Sequence, residues 1–448
     1  MKVLLVRPPA PNALSFTKIL DNEPLELEYL YTSLVSRGHN AVIYDGLVER
    51  QSLKETLLMH MPDIVAVTGY ITQENVIKNI ALLAKDICPK AKVVLGGVHV
   101  QLNAHRMSWA SVDFLCLSEC TNTFVDLVER IENHVTSYSD LNGVGFKVDG
   151  LWQFNPLKPM DINTLPIPDR SYFYAHQHHY RYLEFTGVAT MKTAFSCPHT
   201  CSFCYCTLLA GGQYRARRLD LVIDEIEGIQ ADVIQIVDDD FIVDPARVWA
   251  FVEQIRLRGI KKKFICYARA DGIAKHPELI AALAEIGFTY FLVGLEAITD
   301  AALQSYDKKV TAEINAACIN VVENTTARLI ALLIVSHEAC AEDFEDLYNF
   351  VVQHKLVYVT VSIFTPIPGT PLFEAYKDKI ISDNIEDWDF LHLVVEPTKL
   401  SKSAFYRAYF KLFIKLYWIA KQSGIYDFMD LSYYYTLIKH YFTRKMKE

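Results

Sequence analysis

The sequence predicts an α/β protein with three parts: an N-terminal doubly wound, Rossmann-like parallel sheet, a full or partial (β/α) barrel, and a helical C-terminal tail. Short apolar runs alternate with helical patterns over residues 1–135, and the same alternation resumes at residue 187. This pattern is typical of parallel sheets that helices cover on both faces. We therefore predict domains at 1–135 and 187–375, a linker at 136–186 and a C-terminal region at 376–448.

Five apolar runs predict the strands of the first domain, and helical patterns separate them. Parallel sheets bind ligands beyond the carboxyl ends of their strands, and glycines there allow a bulky ligand to approach the backbone closely. The predicted strands are Val3–Val6, Ala41–Asp45, Ile64–Gly69, Val93–Gly97 and Phe114–Cys116. The candidate ligand-binding residues at these ends are Thr68, Gly69, Gly96, Gly97 and His99.

A proline-punctuated linker joins the two domains. Residues 143–154 predict a β-hairpin with Asp149-Gly150 at its turn, and the segment Leu165-Pro-Ile-Pro-Asp-Arg170 follows it. The nearby histidines His176, His178 and His179 could bind a metal ion, but a solvated loop is the favoured interpretation.

Repeated strand–helix units predict the barrel, whose chemistry is expected at the carboxyl ends of its strands. The first strand, Val188–Phe195, leads into a cysteine-rich loop, and the next strands end in charged side chains. These are Asp238, Asp239 and Asp240 after the second strand, Arg269 after the third, and Glu296 after the fourth. Adjacent carboxylates are costly unless cations or hydrogen-bond donors meet them, and an arginine fork suits a carboxylate. The alternative for the aspartates is a solvated acidic turn.

The cysteine loop is the sharpest chemical signal in the chain. Its sequence, Ser196-Cys-Pro-His-Thr-Cys-Ser-Phe-Cys-Tyr205, has the spacing C-x3-C-x2-C. Three thiolates on one short loop can hold three irons of a [4Fe–4S] cluster and leave the fourth iron open to a small molecule. A zinc site is the alternative, with Cys206 or His199 as a fourth ligand, although Cys206 lies very close to Cys204 for that role.

These motifs resemble the radical S-adenosylmethionine (SAM) superfamily, and residues 1–135 resemble the cobalamin-binding domain that precedes many of its members. Further matches are Gly96-Gly-Val-His99, the Leu165–Arg170 join, Lys308-x-x-Thr311 and Pro366-Ile-Pro-Gly-Thr-Pro371, whereas the segment 118–124 is degraded. The resemblance implies that Cys197, Cys201 and Cys204 bind the cluster. It also implies that Phe203, Asp239, Asp240, Arg269 and Glu296 contact SAM, and that Thr68, Gly69, Gly96, Gly97 and His99 contact cobalamin.

The resemblance also implies the reaction. In this family SAM is cleaved to a 5′-deoxyadenosyl radical, and methylcobalamin then methylates an unactivated carbon of a small-molecule or lipid substrate. The segments 22–28 and 388–398 look most like hopanoid-type C-methylases. The alternative is a cyclase or oxidoreductase that adds no methyl group. Either reaction needs an external electron donor of the flavodoxin or ferredoxin type. The residues alone identify no catalytic acid or base.

Composition limits the partners and the compartment. The net charge of −9 argues against nucleic acid as a partner, and scattered cysteines without a secretory signal indicate a reducing cytoplasm. Residues 399–448 hold ten Lys and Arg against three Asp and Glu, with Arg407, Lys411 and Lys415 forming a stripe on an otherwise apolar helix. That helix either packs on the barrel or makes a peripheral contact with an anionic membrane.

Overall fold

The computed structural model describes residues 1–10, 20–117 and 121–425. Within the described residues up to Phe154 a seven-stranded sheet forms, and five of its strands make the predicted parallel sheet. The strands in this region are β1 (Lys2–Arg7), β2 (Leu20–Asp21), β3 (Asn40–Asp45), β4 (Ile64–Val67), β5 (Lys92–Leu95), β6 (Phe114–Cys116), β7 (Val144–Val148) and β8 (Leu151–Phe154). The sheet order is β3-β1-β4-β5-β6-β7-β8. The strands β3, β1, β4, β5 and β6 all run parallel. The order of the strands changes direction between β1 and β4, and open sheets of this kind bind ligands at such a point.

Helices cover both faces of this sheet. They are α1 (Leu25–Ser36), α2 (Leu53–His60), α3 (Glu74–Ile87), α4 (Val98–Asn103) and α5 (Thr121–Glu132). One face packs Leu27, Leu34 and Leu127 from α1 and α5 against the strands, and the other packs Leu57 and Ile77 from α2 and α3. The prediction of a doubly wound domain is therefore confirmed.

The predicted hairpin is present, and it extends the first sheet. Strand β7 pairs antiparallel with β6, and β8 pairs with β7. Residues 144–154, which the sequence placed in the linker, are thus the edge of the first sheet. The chain then forms α6 (Ser171–His176) and two short strands, β9 (Arg181–Tyr182) and β10 (Phe185–Thr186), which build a small antiparallel sheet with β2.

The second domain is a partial barrel. Its strands are β11 (Val188–Met191), β12 (Ala194–Phe195), β13 (Arg215–Ala216), β14 (Val233–Ile236), β15 (Lys263–Arg269), β16 (Phe288–Glu296), β17 (Arg328–Val335) and β18 (Tyr358–Ile363). Six of them form one parallel sheet in sequential order, β11-β14-β15-β16-β17-β18, while β12 and β13 pair with each other. Within the described residues β11 and β18 do not pair, so the barrel stays open.

Helices cover the outside of this sheet. They are α7 (Leu219–Gly228), α8 (Pro245–Leu257), α9 (Ala270–Lys275), α10 (Pro277–Glu285), α12 (Ala312–Glu323), α13 (Ala341–Gln353) and α15 (Lys402–Gln422). Two short helices, α11 (Asp300–Ser305) and α14 (Pro371–Tyr376), instead pack in the apolar cluster beside the cysteine loop. The single predicted strand Val188–Phe195 is wrong in one detail, because it is interrupted at Lys192-Thr193 and splits into β11 and β12.

Aromatic side chains close the interior of the barrel at the amino ends of the strands. Tyr290 and Tyr358 join their hydroxyls at 2.6 Å, and Tyr290 donates to Glu184 at 2.5 Å. Tyr182 of β9 packs into the same buried cluster. The small sheet therefore plugs one end of the barrel, and the carboxyl ends of the strands remain as the accessible side.

Helix α15 packs on the barrel. Phe405, Tyr409 and Leu416 belong to the main core, and Lys411 and Lys415 both pair with Glu345 of α13. Packing on the barrel is thus confirmed for this helix, and residues 426–448 of the predicted tail lie outside the described residues. None of the helices in the described part of the chain is both long and apolar enough to cross a bilayer.

Candidate functional site: a cysteine loop facing the first domain

The cysteine loop is held at its base by a short hairpin and a buried aspartate. Strands β12 and β13 pair on either side of the loop. Asp238, at the end of β14, accepts hydrogen bonds from the backbone N of Thr193 at 2.6 Å and of Ala194 at 3.0 Å. Burial raises the pKa of Asp238 to about 6. Asp238 therefore anchors the loop, a role that the sequence did not reveal among three consecutive aspartates.

Two other segments hold the tip of the loop. Ser202 donates its backbone N to Tyr306 O, and Leu372 donates its backbone N to Ser202 O, both at 3.1 Å. The ring of Phe203 meets Tyr306 edge to face at 5.5 Å. Leu372 follows Thr370, whose hydroxyl caps α14. The late Pro-Gly-Thr-Pro turn thus brings α14 against the cysteine loop.

The donor set of the loop suits an iron–sulfur cluster. Cys201 is buried, Cys197 and Cys204 are partly buried, and no disulfide involves them. Burial raises the pKa of Cys197 to about 11, whereas a hydrogen bond with Cys206 lowers that of Cys204. Among the described residues no three His, Cys, Asp or Glu side chains gather tightly enough to hold one metal ion. Three thiolates on one loop can hold three irons of a cluster, and its binding by Cys197, Cys201 and Cys204 stays a prediction.

Arg269 lies directly beside the loop. Its Nη1 is 3.5 Å from Cys201 Sγ, its Nη2 donates to Lys308 O at 2.9 Å, and its Nε donates to Asp271 at 2.9 Å. Most of its donors are therefore engaged within the protein. The structure brings Arg269 to the cluster loop, and its predicted contact with the SAM carboxylate stays a prediction.

The other predicted SAM contacts surround the same loop. Asp240 Oδ2 is 3.5 Å from His199 Nε2, and its Oδ1 accepts from the backbone N of Ile242 at 3.1 Å. Asp239 is half-buried. A hydrogen bond with Cys204 and burial raise the pKa of the Cys206 thiol, and the Asp239 carboxylate, a further hydrogen-bond partner, adds to this shift. The consecutive aspartates thus have different surroundings, and only Asp239 faces the extra cysteine.

Glu296 ends β16 in an unusual backbone conformation. Its φ is 59°, and its Oε1 accepts from Lys308 Nζ at 2.9 Å. A Cβ on Gly294 would stand 2.2 Å from that carboxylate oxygen, so a glycine is required there. Lys308 also lies 6.0 Å from the centre of the Phe203 ring. The sequence matched Lys308 only as part of a motif, and its pairing with Glu296 became visible in the structure.

The loops at the carboxyl ends of β4 and β5 pack tightly on each other. Gly97 has a φ of 94°, and a Cβ there would lie 2.5 Å from Thr68 Oγ1 and 3.1 Å from Gly69 N. Gly96 has more room, because its Cβ would meet nothing closer than 3.7 Å. A side chain at Gly97 would collide with Thr68, so glycine lets the two loops pack together and form the backbone cradle at which we expect the corrin to bind.

His99 is buried within this region and already has polar partners. Its Nε2 is 2.7 Å from Glu74 Oε2, and its Nδ1 is 3.4 Å from Asn103 Nδ2. Both ring nitrogens are thus occupied by the protein, so His99 supports the loop in the present geometry. His105 instead packs its ring against Phe154 at 4.8 Å.

The two predicted cofactor sites face each other. Ile71, just after β4, packs in one apolar cluster with Phe203 and Tyr205 of the cysteine loop. Near α4, Asn103 donates to Pro368 O at 3.3 Å. The carboxyl ends of the first sheet therefore contact the mouth of the barrel.

A solvent-accessible space lies beside this contact. Tyr70 is 60% exposed, yet burial raises its pKa to about 12, and Glu26 and Tyr267 act on it electrostatically. Burial also raises the pKa of Tyr267 to about 12, and Cys206 and Asp239 act on it in turn. Tyr70 of the first domain is thus open to solvent and lies close to Tyr267 of the second domain, next to the cysteine loop.

Comparison with known families agrees with this arrangement. The model of the B12 binding domain matches residues 19–128, and that of the Radical SAM superfamily matches residues 191–351. This chain is a B12-binding radical SAM protein. The predicted cofactors, a [4Fe–4S] cluster, SAM and cobalamin, are those of the two matched domains, while the residues that contact them stay predictions.

Two curated relatives align with most of the length of this B12-binding radical SAM protein. An uncharacterised methyltransferase of Pyrococcus horikoshii is 24% identical over 84% of this chain and 83% of its own length. The hopanoid C-3 methylase of Methylococcus capsulatus is 26% identical over 91% of this chain and 78% of its own length.

A solved structure shares the fold of both domains. The cobalamin-dependent radical enzyme OxsB, with aqua-cobalamin and SAM bound, superposes with a TM-score of 0.74 at 16% identity. The match covers 91% of this chain and 65% of that chain, so the present chain spans about two thirds of the length of OxsB. At this identity the likeness concerns the fold of the B12 and radical SAM domains.

Proposed function

We propose that this protein is a cobalamin-dependent radical SAM methyltransferase that adds a methyl group to an unactivated carbon of a small molecule. The observation that carries the proposal is the packing of Ile71, from the B12 domain, on the same buried cluster of the radical SAM domain as Phe203 and Tyr205 of the cysteine loop. Such packing supports two cofactors acting on one substrate, because reacting centres must lie within a few ångströms. The two methyltransferase relatives point to the same reaction.

Different residues of the chain would bind the different cofactors. When bound, the cluster and SAM supply a carbon radical, and cobalamin supplies the methyl group. Cys197, Cys201 and Cys204 would hold the cluster, and the glycine cradle around Gly97 would receive the corrin. The predicted SAM contacts are Phe203, Asp239, Asp240, Arg269 and Glu296. The protein thus supplies placement and exclusion of water rather than an acid or base.

The substrate would occupy the solvent-accessible space between the domains, beside the rings of Tyr70 and Tyr267. Glu26, Arg7, Cys206 and Asp239 act electrostatically on these rings. Aromatic side chains together with a small set of fixed polar groups suit a largely apolar ligand. We therefore propose a lipid such as a hopanoid as the substrate class, in keeping with the likeness to the hopanoid C-3 methylase.

Isotope transfer tests the reaction. The reconstituted full-length protein is supplied with reductant, methyl-deuterated SAM and a hopanoid mixture, and the products are analysed by mass spectrometry. Methylation predicts a product that carries the labelled methyl group, whereas the cyclase or oxidoreductase alternative predicts an altered product without label. Cys201→Ala should abolish deoxyadenosine release, and the matched control Cys318→Ala, a buried cysteine of α12, should keep it.

A membrane contact through residues 399–448 would bring such a lipid to the site. On α15 the side chains of Phe413 and Trp418 are 42% and 57% exposed, and aromatic rings of this kind anchor helices at membrane interfaces. Lys411 and Lys415 are engaged with Glu345 and leave less positive charge for the lipid headgroups. The protein would receive its electrons from an external flavodoxin or ferredoxin.

Liposome co-sedimentation checks this contact. The Phe413→Ser/Trp418→Ser double variant should bind anionic vesicles about ten-fold more weakly than the wild type, because two interfacial aromatic anchors are lost. The matched control Trp249→Ser removes an aromatic side chain of α8 that is 37% exposed. Equal sedimentation of all three proteins would contradict a membrane contact through α15.

A further inference from the structure

A buried ion cluster connects the two domains on the side of α1. Arg170, the last residue of the Leu-Pro-x-Pro-Asp-Arg segment, donates from Nη2 to Glu225 Oε1 of α7 at 2.9 Å. Its Nε lies 3.4 Å from Oε1 of Glu23, which stands just before α1 in the B12 domain. The side chains of Glu23 and Glu225 are wholly buried, and that of Arg170 is 4% exposed. One guanidinium thus bridges carboxylates from both domains.

Glu23 also binds the first strand of the radical SAM domain directly. Its Oε1 accepts from the backbone N of Thr190 at 2.7 Å and from Thr190 Oγ1 at 3.0 Å. Arg170 also contacts Thr190, because its Nη2 donates a hydrogen bond to Thr190 O at 2.9 Å. The cluster therefore fixes the start of α1 to one point of β11.

A second arginine extends the cluster to the cysteine loop. Arg217 directly follows β13, the strand that closes the loop, and donates its backbone N to Thr193 O at 2.9 Å. Its Nη1 lies 2.7 Å from Glu225 Oε2 and 3.4 Å from the hydroxyl of Tyr29 in α1. A continuous set of polar contacts thus runs from the base of the cysteine loop to the B12 domain.

Buried ion pairs of this kind define geometry more than they add stability. Taking charges out of water costs much of the energy that their attraction returns. A guanidinium, however, offers its donors in a fixed planar fork, so its partners are held in defined directions. A methyl transfer between two cofactors depends on such alignment, because a displacement of about 1 Å can cost about a hundred-fold in rate.

We propose that Arg170 is a positioning residue that aligns the B12 domain with the cysteine loop through its simultaneous contacts with Glu23 and Glu225. The inference deepens the proposed function and rests on it, since alignment matters only when both cofactors serve one reaction. Arg170 touches neither predicted cofactor site, so its loss should disturb their relative position and leave each of them able to form.

Magnetic coupling between the two cofactors tests this alignment without a substrate. The full-length protein is reconstituted with cluster and cobalamin, both are brought to paramagnetic states, and the distance between the spins is measured by pulsed electron paramagnetic resonance. Arg170→Met and Glu23→Ala should increase the mean distance between the two spins, or the width of the distance distribution, by about 1 Å or more. A displacement of this size is enough to slow the transfer. Deoxyadenosine release per cluster should change less than about two-fold, because Arg170 and Glu23 lie outside the predicted cluster and SAM site and distant sites act independently.

Two further variants make the result decisive. Glu23→Ala tests the cluster from the other partner and covers the case that Arg170→Met does not fold, whereas Glu23→Gln keeps an acceptor for both Thr190 donors and should retain most of the wild-type distance. Arg218→Met removes the neighbouring arginine, which is 65% exposed and pairs with Asp220, and should match the wild type. Unchanged distances in Arg170→Met and Glu23→Ala would overturn the proposal. A wild-type protein that binds no cobalamin or no cluster would instead contradict the proposed function.

Discussion

At the scale of single residues, neighbouring side chains of one type have separate tasks. Asp238 turns inward to hold the cysteine loop, Asp239 meets the Cys206 thiol, and Asp240 approaches His199. Lys308 and Lys309 differ in the same way. Lys308 is buried against Glu296, whereas Lys309 is 72% exposed beside Asp307. Burial and partners therefore decide the role of a residue here more than its type.

Lys308→Met should weaken SAM binding. The substitution leaves the Glu296 carboxylate without its cation in a buried place, and breaking such a pair costs about 3–5 kcal/mol. We expect part of this cost to appear in binding, so that the Kd for SAM, measured by equilibrium dialysis, rises about ten- to a hundred-fold, which corresponds to about 1.4–2.8 kcal/mol. Lys309→Met is the matched control and should change the Kd less than about two-fold, as exposed pairs contribute little. Equal affinity in both variants would refute a role for the Lys308–Glu296 pair.

At the scale of elements, the sequence predicted the long parallel strands. It did not predict the two-residue strands as separate elements or the place where the hairpin pairs, because both depend on segments distant in the chain. Apolar runs located β1, β4, β14 and β17 because strands buried on both faces are continuously apolar. The two-residue strands β12 and β13 exist only because the cysteine loop closes on itself and Asp238 binds its base. The position of β7 on the edge of β6 likewise follows from pairing across the chain, which local pattern does not encode.

The same limit applies to the site. The three cluster cysteines and the charged strand ends could be identified, because their spacing and place in the strand–helix repeat are local features. The partners of these groups were not predictable. Glu296 meets Lys308 only because β16 ends at a positive φ, and Glu23 reaches Arg170 only when the two domains dock.

The loop after β5 offers a test at the scale of one element. Gly97→Ala places a Cβ 2.5 Å from Thr68 Oγ1 at a φ of 94°, a conformation that costs about 1–3 kcal/mol for a residue with a side chain. We expect cobalamin affinity, followed by absorbance on titration, to fall about ten-fold or more. Gly228→Ala, at the end of α7 where a Cβ meets nothing within 4 Å, is the matched control and should bind cobalamin as well as the wild type. Equal weakening by both substitutions would show that the strain at Gly97 is not what shapes the cradle.

At the scale of the whole molecule, the two domains are joined by an apolar contact and a charged one. Ile71 packs on the buried cluster that Phe203 and Tyr205 of the cysteine loop also contact, and the cluster around Arg170 binds α1 to β11. The charged side holds three buried carboxylates, Glu23, Glu28 and Glu225, against the two guanidiniums of Arg170 and Arg217. One carboxyl group of the three can therefore stay protonated without leaving a guanidinium unpaired.

Glu28 is the group that should carry this proton. Burial, followed by the nearby Glu23, raises its pKa to about 9, and its Oε1 accepts from the backbone N of Phe173 at 3.2 Å. The folded protein then binds a proton that the unfolded chain releases near its ordinary pKa of about 4.3. Stability from this group is full below that value, decreases as pH rises, and is lost above about pH 9.

Glu28→Gln should remove this pH dependence, because the amide imitates the protonated acid. Between pH 6 and 9 the unfolding free energy of the wild type should fall with pH more steeply than that of the variant, by up to about 1.4 kcal/mol per pH unit. Denaturant unfolding of the full chain at several pH values measures the difference. Glu49→Gln, a control at a carboxylate that accepts from Tyr172 at 2.8 Å, should keep the wild-type slope. Parallel curves for Glu28→Gln and the wild type would mean that Glu28 is ionised in the folded protein, and the charge balance between the domains would then need another source of protons or cations.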